Sequence, residues 1–153
     1  MFKQKSPLRL LVAAVALCIS LAGHGAESNV VRTVPATVNV PAKGSPDRKS
    51  ILDVLRRQAK SMSGLEVIFV VTHMKVGAGW AWVEAEPQSA DGSQHYETMT
   101  GLLHFDRGRW RYVEGPPEWS ECEDDPDCAD PARYFRALAK KHPGVPADIF
   151  PTR

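Results

Sequence analysis

Between Glu66 and Glu114, four runs rich in β-branched and aromatic residues follow one another, and two of the three connections are only a few residues long. That spacing constrains the chain more than any other feature. A parallel pair of strands needs a crossover of a dozen or more residues, whereas an antiparallel pair closes through as few as two. The runs are Glu66 to Val76, Trp80 to Glu86, His95 to Phe105 and Arg109 to Glu114. Gly77-Ala78-Gly79 and Asp106-Arg107-Gly108 read as tight turns, and the longer loop Pro87 to Ser93 carries Asp91-Gly92. Gly115-Pro116-Pro117 ends the last run. The expected sheet is a four-stranded antiparallel meander.

Helix signals bracket this block. Ser45-Pro46-Asp47 supplies an N-cap, a proline at the first helical position and an acid in the first turn. Ile51, Leu52, Leu55, Ala59 and Met62 recur at helical spacing, and Gly64 marks a stop near residues 61–63. Arg56 and Arg57 lie three and four residues after Asp53, so a helical salt bridge is expected there. Asp130-Pro131 opens a second helix with Tyr134, Phe135, Leu138 and Ala139 on its apolar stripe. Lys140, Lys141 and His142 fill its last turn, and Pro143-Gly144 terminates it. The fold class expected is α+β, with the N-terminal helix packed on the meander and the C-terminal helix following a loop. Residues 46–153 form the expected single domain.

Residues 1–26 have the build of a secretory signal. Lys3, Lys5 and Arg9 precede an apolar run from Leu10 to Leu21, and small residues follow at Ala22, Gly23, Gly25 and Ala26. The run is shorter than the roughly 20 residues needed to span a bilayer, so cleavage after Ala22 or Ala26 is expected and no stable membrane span should remain. Cys18 does not make a lipid attachment site, because Leu17 stands where a small residue is needed. Export to a periplasmic or secreted location follows. Residues 27–45 carry Pro35 and Pro41 in a Val/Thr-rich stretch and read as an extended linker.

The whole chain has a formal charge of +1, and losing Lys3, Lys5 and Arg9 takes it to −2. No basic excess points to nucleic acid. Cys122 and Cys128 are then the remaining cysteines, and in an exported chain they are expected to form a disulfide. Closing so small a loop stabilises by roughly 2–2.5 kcal/mol on the chain-entropy estimate. The disulfide would pin the acidic segment Glu118 to Asp130, whose Glu121, Asp124 and Asp125 make it a candidate surface for a basic partner. Calcium favours such carboxylates, but the calcium-loop pattern with its fixed glycine and terminal Glu is absent, and no metal is assigned.

Four aromatics are candidate binding residues. Trp80 and Trp82 share one face of their strand, and Trp110 and Tyr112 share one face of theirs. If those faces coincide, they form one wall, either filling the core or facing a ligand. Val67 to Val71 is apolar on both faces, so both should be covered, by the C-terminal helix and tail with Tyr134, Phe135, Ile149 and Phe150, by a partner copy or by a pocket. An acid/base site would draw on Asp53, Glu84, His73 and His104, with no spacing to select among them. Serine elbows, phosphate loops and zinc-helix motifs do not occur, and no cofactor is implied.

The helix–meander–helix order resembles the cystatin-like and nuclear-transport-factor-like α+β rolls. Ser45-Pro46-Asp47-Arg48-Lys49-Ser50-Ile51-Leu52-Asp53, Val70, Gly79-Trp80-Ala81-Trp82-Val83 and Gly108-Arg109-Trp110-Arg111-Tyr112-Val113 look like an uncharacterised group of small exported bacterial proteins. The similarity spans about residues 45–115. It implies this fold and compartment and brings no catalytic residues.

The sequence thus points to an exported binding module of the bacterial envelope, recognising an envelope protein or polymer. A cell-wall hydrolase is one such target. The alternative is a small enzyme or ligand carrier with a pocket between helix and sheet. A homodimer formed through the sheet is a third reading.

Overall fold

The computed structural model describes residues 37–117 and 130–152. All of them fall within the compact unit Val31–Arg153. The expected signal segment 1–26, Cys122, Cys128, Glu121, Asp124 and Asp125 lie outside the described residues.

The element order is α1 (Pro46–Ser63), β1 (Ile68–Gly77), β2 (Trp80–Gln88), β3 (Met99–Asp106), β4 (Arg109–Glu114), α2 (Pro131–Lys141) and a 3₁₀ turn at Ala147–Ile149. Both α-helices start on the caps the sequence offers. Ser45 Oγ accepts from the Arg48 N–H at 3.3 Å, and Asp130 Oδ1 accepts from the Ala132 N–H at 2.9 Å. Gly64 closes α1 in the left-handed conformation, its N–H bonded to Lys60 O at 2.9 Å. The Asp53–Arg56 ion pair forms at 2.6 Å on the exposed side of α1.

The sheet is an antiparallel meander in the order β1-β2-β3-β4. Two hairpins have two-residue loops, with positive φ at both positions: Ala78 (48°) and Gly79 (81°), then Arg107 (50°) and Gly108 (79°). These are type I′ turns, whose twist matches that of the strands. β2 runs two residues beyond the expected end, because Pro87 needs no donor there; its carbonyl accepts from the Tyr96 N–H at 2.9 Å. β3 begins at Met99, and His95 keeps only an isolated bridge to Gln88. Within the stretch expected as linker, Asn39 exchanges two 2.8 Å bonds with Val76, and Pro41 is buried.

α1 covers one face of the sheet. Ile51, Val54 and Leu55 pack there with Met74, Val76, Val83, Leu103 and Trp110. α2 and the C-terminal tail cover part of the other face. Trp82 is fully buried there against Phe135, Tyr134 and Phe150, with ring centroids 5.1, 6.1 and 5.5 Å away. Among the described residues, no helix is long and apolar enough to cross a membrane.

The four aromatics do not make one wall. Directly opposed residues share a face, and β2 pairs Trp80 with His104 and Trp82 with Leu102. The two-residue loop pairs Asp106 with Arg109, which puts Trp110 opposite Phe105 and Tyr112 opposite Leu103. Leu102 and Leu103 point to opposite faces, so Trp80 and Trp82 lie under α2 while Trp110 and Tyr112 lie under α1. Within one chain the C-terminal tail covers only part of β1. α1 buries Met74 and Val76; on the opposite face the tail reaches His73 and Lys75, and Ile68 and Val70 beyond it are exposed.

Candidate functional site

Of the four aromatics, Trp82 and Trp110 are core residues. Trp80 is half-buried, with His104 against it at 4.2 Å and His142 at 5.5 Å. Tyr112 lines an open groove of about 670 Å³, where α1 and β4 end and β3 begins.

The groove is built from segments distant in sequence. The last turn of α1 supplies Gln58, Ala59, Met62 and Ser63, and the link to β1 supplies Leu65 and Val67. Opposite them lie the approach to β3 from Tyr96 to Thr100 and, from the ends of β2 and β4, Pro87, Pro116 and Pro117. Tyr112 is the floor. Two glycines let it lie there: a Cβ at Gly101 would run into its ring, and one at Gly115 into its hydroxyl. That hydroxyl donates to Thr100 O at 3.1 Å. Burial, then the Glu114 carboxylate nearby, raises the Tyr112 pKa, so the phenol stays a donor.

Among the lining residues Glu97 alone carries a charge at neutral pH, and it is exposed. The walls are aliphatic, thioether and proline surface, and the polar groups are hydroxyls and the Gln58 amide. Such a surface suits an apolar or weakly polar ligand oriented by a few hydrogen bonds. Met62 is 71% exposed and Leu65 39% exposed, so the wall is already desolvated poorly without a ligand.

The residues considered for acid/base chemistry are not at this groove. His73 Nε2 hydrogen-bonds Ile149 O at 2.8 Å, anchoring the tail. His104 stacks on Trp80 across the sheet from the groove. Glu84 accepts from Trp82 Nε1 at 3.3 Å, and Asp53 pairs with Arg56. Among the described residues, no group of three or more His, Cys, Asp or Glu side chains is arranged to hold a metal ion.

A second polar cluster ties α2 to the sheet. Glu114 takes His142 Nε2 at 2.5 Å on one carboxylate oxygen and Lys141 Nζ at 2.9 Å on the other. Burial works to raise the Glu114 pKa, but the bonds from His142 and Lys141 outweigh it and hold the carboxyl below its ordinary value. Nearby, the Tyr134 hydroxyl is buried with no hydrogen-bond partner among the described residues, and burial pushes its pKa upward.

Sequence reasoning found Tyr112 and missed the rest of the groove. The available signal was Gly101 inside a strand pattern, which marks a close approach by another group. No family model, curated protein or solved structure matches this chain.

Proposed function

We propose that this protein is an exported binding module of the bacterial envelope, and that the groove at the end of α1 receives an apolar, extended segment of an envelope protein. The observation that carries this reading is the groove itself: about 670 Å³, open, lined by Met62, Leu65, Met99, Pro116 and Pro117, with Tyr112 as its floor. Small-molecule pockets bury most of their ligand's surface. This site is a trough whose rim residues remain in water, which suits a chain segment with more of itself outside. The signal-like residues 1–26 support export. The helix-on-meander order supports placing the chain among the cystatin-like and nuclear-transport-factor-like rolls.

The acidic segment with Glu121, Asp124 and Asp125, pinned by a Cys122–Cys128 disulfide, is proposed as a separate surface for a basic partner such as a cell-wall hydrolase. The two surfaces are separable by mutation.

The test is capture from an envelope extract with the immobilised exported chain, comparing wild type with Thr98→Arg. Thr98 is exposed and lines the groove, so the arginine places charge and bulk there without disturbing the core. Proteins bound in the groove should be lost from Thr98→Arg and kept by a variant with Glu121, Asp124 and Asp125 changed to Asn or Gln, and basic partners of the acidic segment should show the reverse. Unchanged retention by Thr98→Arg would remove the groove from the account.

A further inference from the structure

We propose that β1 is an assembly edge: two copies of this chain pair their β1 strands antiparallel about a two-fold axis at Phe69, joining two four-stranded sheets into one of eight. This interface is independent of the groove reading and stands or falls without it.

The two edges of the sheet are built differently. β4 is six residues long and alternates Arg109 and Arg111 with its buried residues, and short charged edges resist pairing. β1 is ten residues long and reads Ile-Phe-Val-Val in its first half, with no charge between Glu66 and Lys75 except what His73 can acquire. Within that half, Ile68 and Val70 are among the exposed large apolar side chains of the described residues. On β4 the exposed large apolar side chain is Val113. An uncovered, apolar strand of high β-propensity is a template for another strand.

The structure also limits how much of the edge is free. At its far end Asn39 occupies the outer side of Val76, and Lys75 Nζ donates to Asp148 O at 3.1 Å. Between Val71 and His73 the register slips, leaving Thr72 as a bulge whose hydroxyl donates to Glu84 O at 3.1 Å. At its near end the chain turns out of α1 through Gly64 and Leu65. The pairable stretch is therefore 66–72, and its centre is Phe69. Among the described residues, none pairs its backbone with the outer side of Ile68 to Thr72.

That stretch is complementary to itself. In an antiparallel pair related by a two-fold axis, opposed residues share a face, so their numbers must sum to an even value. Centring on Phe69 sets Ile68 against Val70 of the second copy and Val67 against Val71. Glu66 falls opposite Thr72, so no like charges meet. On the α2 side, Ile68 and Val70 of both copies close into a four-residue apolar cluster; each is 45% exposed in the single chain. Foreign strands would have to match this pattern, whereas a second copy does so by symmetry, and isologous two-fold pairing is the commonest form of self-association.

The mass of the exported chain recovered from the periplasm, measured by light scattering at about 100 μM, tests the proposal. Wild type should show twice the chain mass. Val70→Lys should show the single-chain mass with an unchanged far-ultraviolet spectrum. Val113→Lys, a comparably exposed apolar position on the opposite edge, should stay at twice the mass. If Val70→Lys does not fold, Ile68→Lys repeats the test at an equally exposed position. A single-chain mass for wild type overturns the proposal, as does a double mass that persists in a folded Val70→Lys or Ile68→Lys variant.

Discussion

Replacing Gly101 with alanine puts one methyl group where the Tyr112 ring lies. The new Cβ would come within 2.9 Å of Tyr112 Cζ and 3.1 Å of Cδ2, and closer still to Cε2. Such distances cannot be met without moving the ring, which β3 and the Thr100 carbonyl hold in place. Overpacking of this kind costs typically about 1–3 kcal/mol. Alanine also restricts the unfolded chain more than glycine does, a gain of about 0.4–1 kcal/mol. The net expectation is a loss of about 1–2 kcal/mol, or a fall in Tm of roughly 4–8 °C per kcal/mol for a domain near 100 residues. The assay is chemical denaturation of four proteins: wild type, Gly101→Ala, Tyr112→Ala and the double variant. In the Tyr112→Ala background the obstruction is gone, so Gly101→Ala should become neutral or stabilising by about 0.4–1 kcal/mol. An equal cost of Gly101→Ala in both backgrounds would refute the claim that Gly101 exists to seat Tyr112.

Other expectations follow from single contacts. Glu114 has a folded pKa below its ordinary 4.5, so its pairing with His142 and Lys141 contributes stability above that value and loses it as pH falls through the depressed one. Glu114→Gln should therefore be less stable than wild type at neutral pH, with the gap closing as the pH falls through the depressed pKa, read from urea midpoints. Ser45→Ala should cost about 1 kcal/mol through loss of the α1 cap, and Ser45→Asp should retain the cap; equal losses in both would show the cap to be inert. Tyr134→Phe removes a buried hydroxyl that has no partner among the described residues, so stability should hold or rise by about 1 kcal/mol; a clear loss would mean the hydroxyl is bonded in solution. Intact mass should show thiol alkylation at Cys122 and Cys128 only after reduction; labelling without reductant would remove the proposed disulfide.

The helices were legible because their signals are local. Ser45-Pro46 and Asp130-Pro131 fix both starts, and Gly64 fixes the end of α1. The meander was legible because its two tight turns leave no room for a crossover. The facing of the aromatics was not, since it depends on register parity across two hairpins. One of those, β2 to β3, is set by the long loop around Ser89–Gln94, where Asp91 organises Ser89 and Ser93. The groove was illegible for a related reason. Its walls come from the ends of α1, β2 and β4 and the approach to β3, and the one local mark is Gly101 within β3, which signals a close approach without saying by what. The exposure of Ile68 and Val70 likewise depends on how far a tail some 80 residues later extends over β1.

The central claim is that the groove meets a partner. A photoreactive residue placed at Thr98, with irradiation of intact cells, tests it most directly. A control at Arg109, on the β3–β4 hairpin away from the groove, reports random collision. The account predicts a discrete adduct with a different protein from position 98 and none from position 109. No adduct from position 98, or the same adducts from both positions, would contradict it.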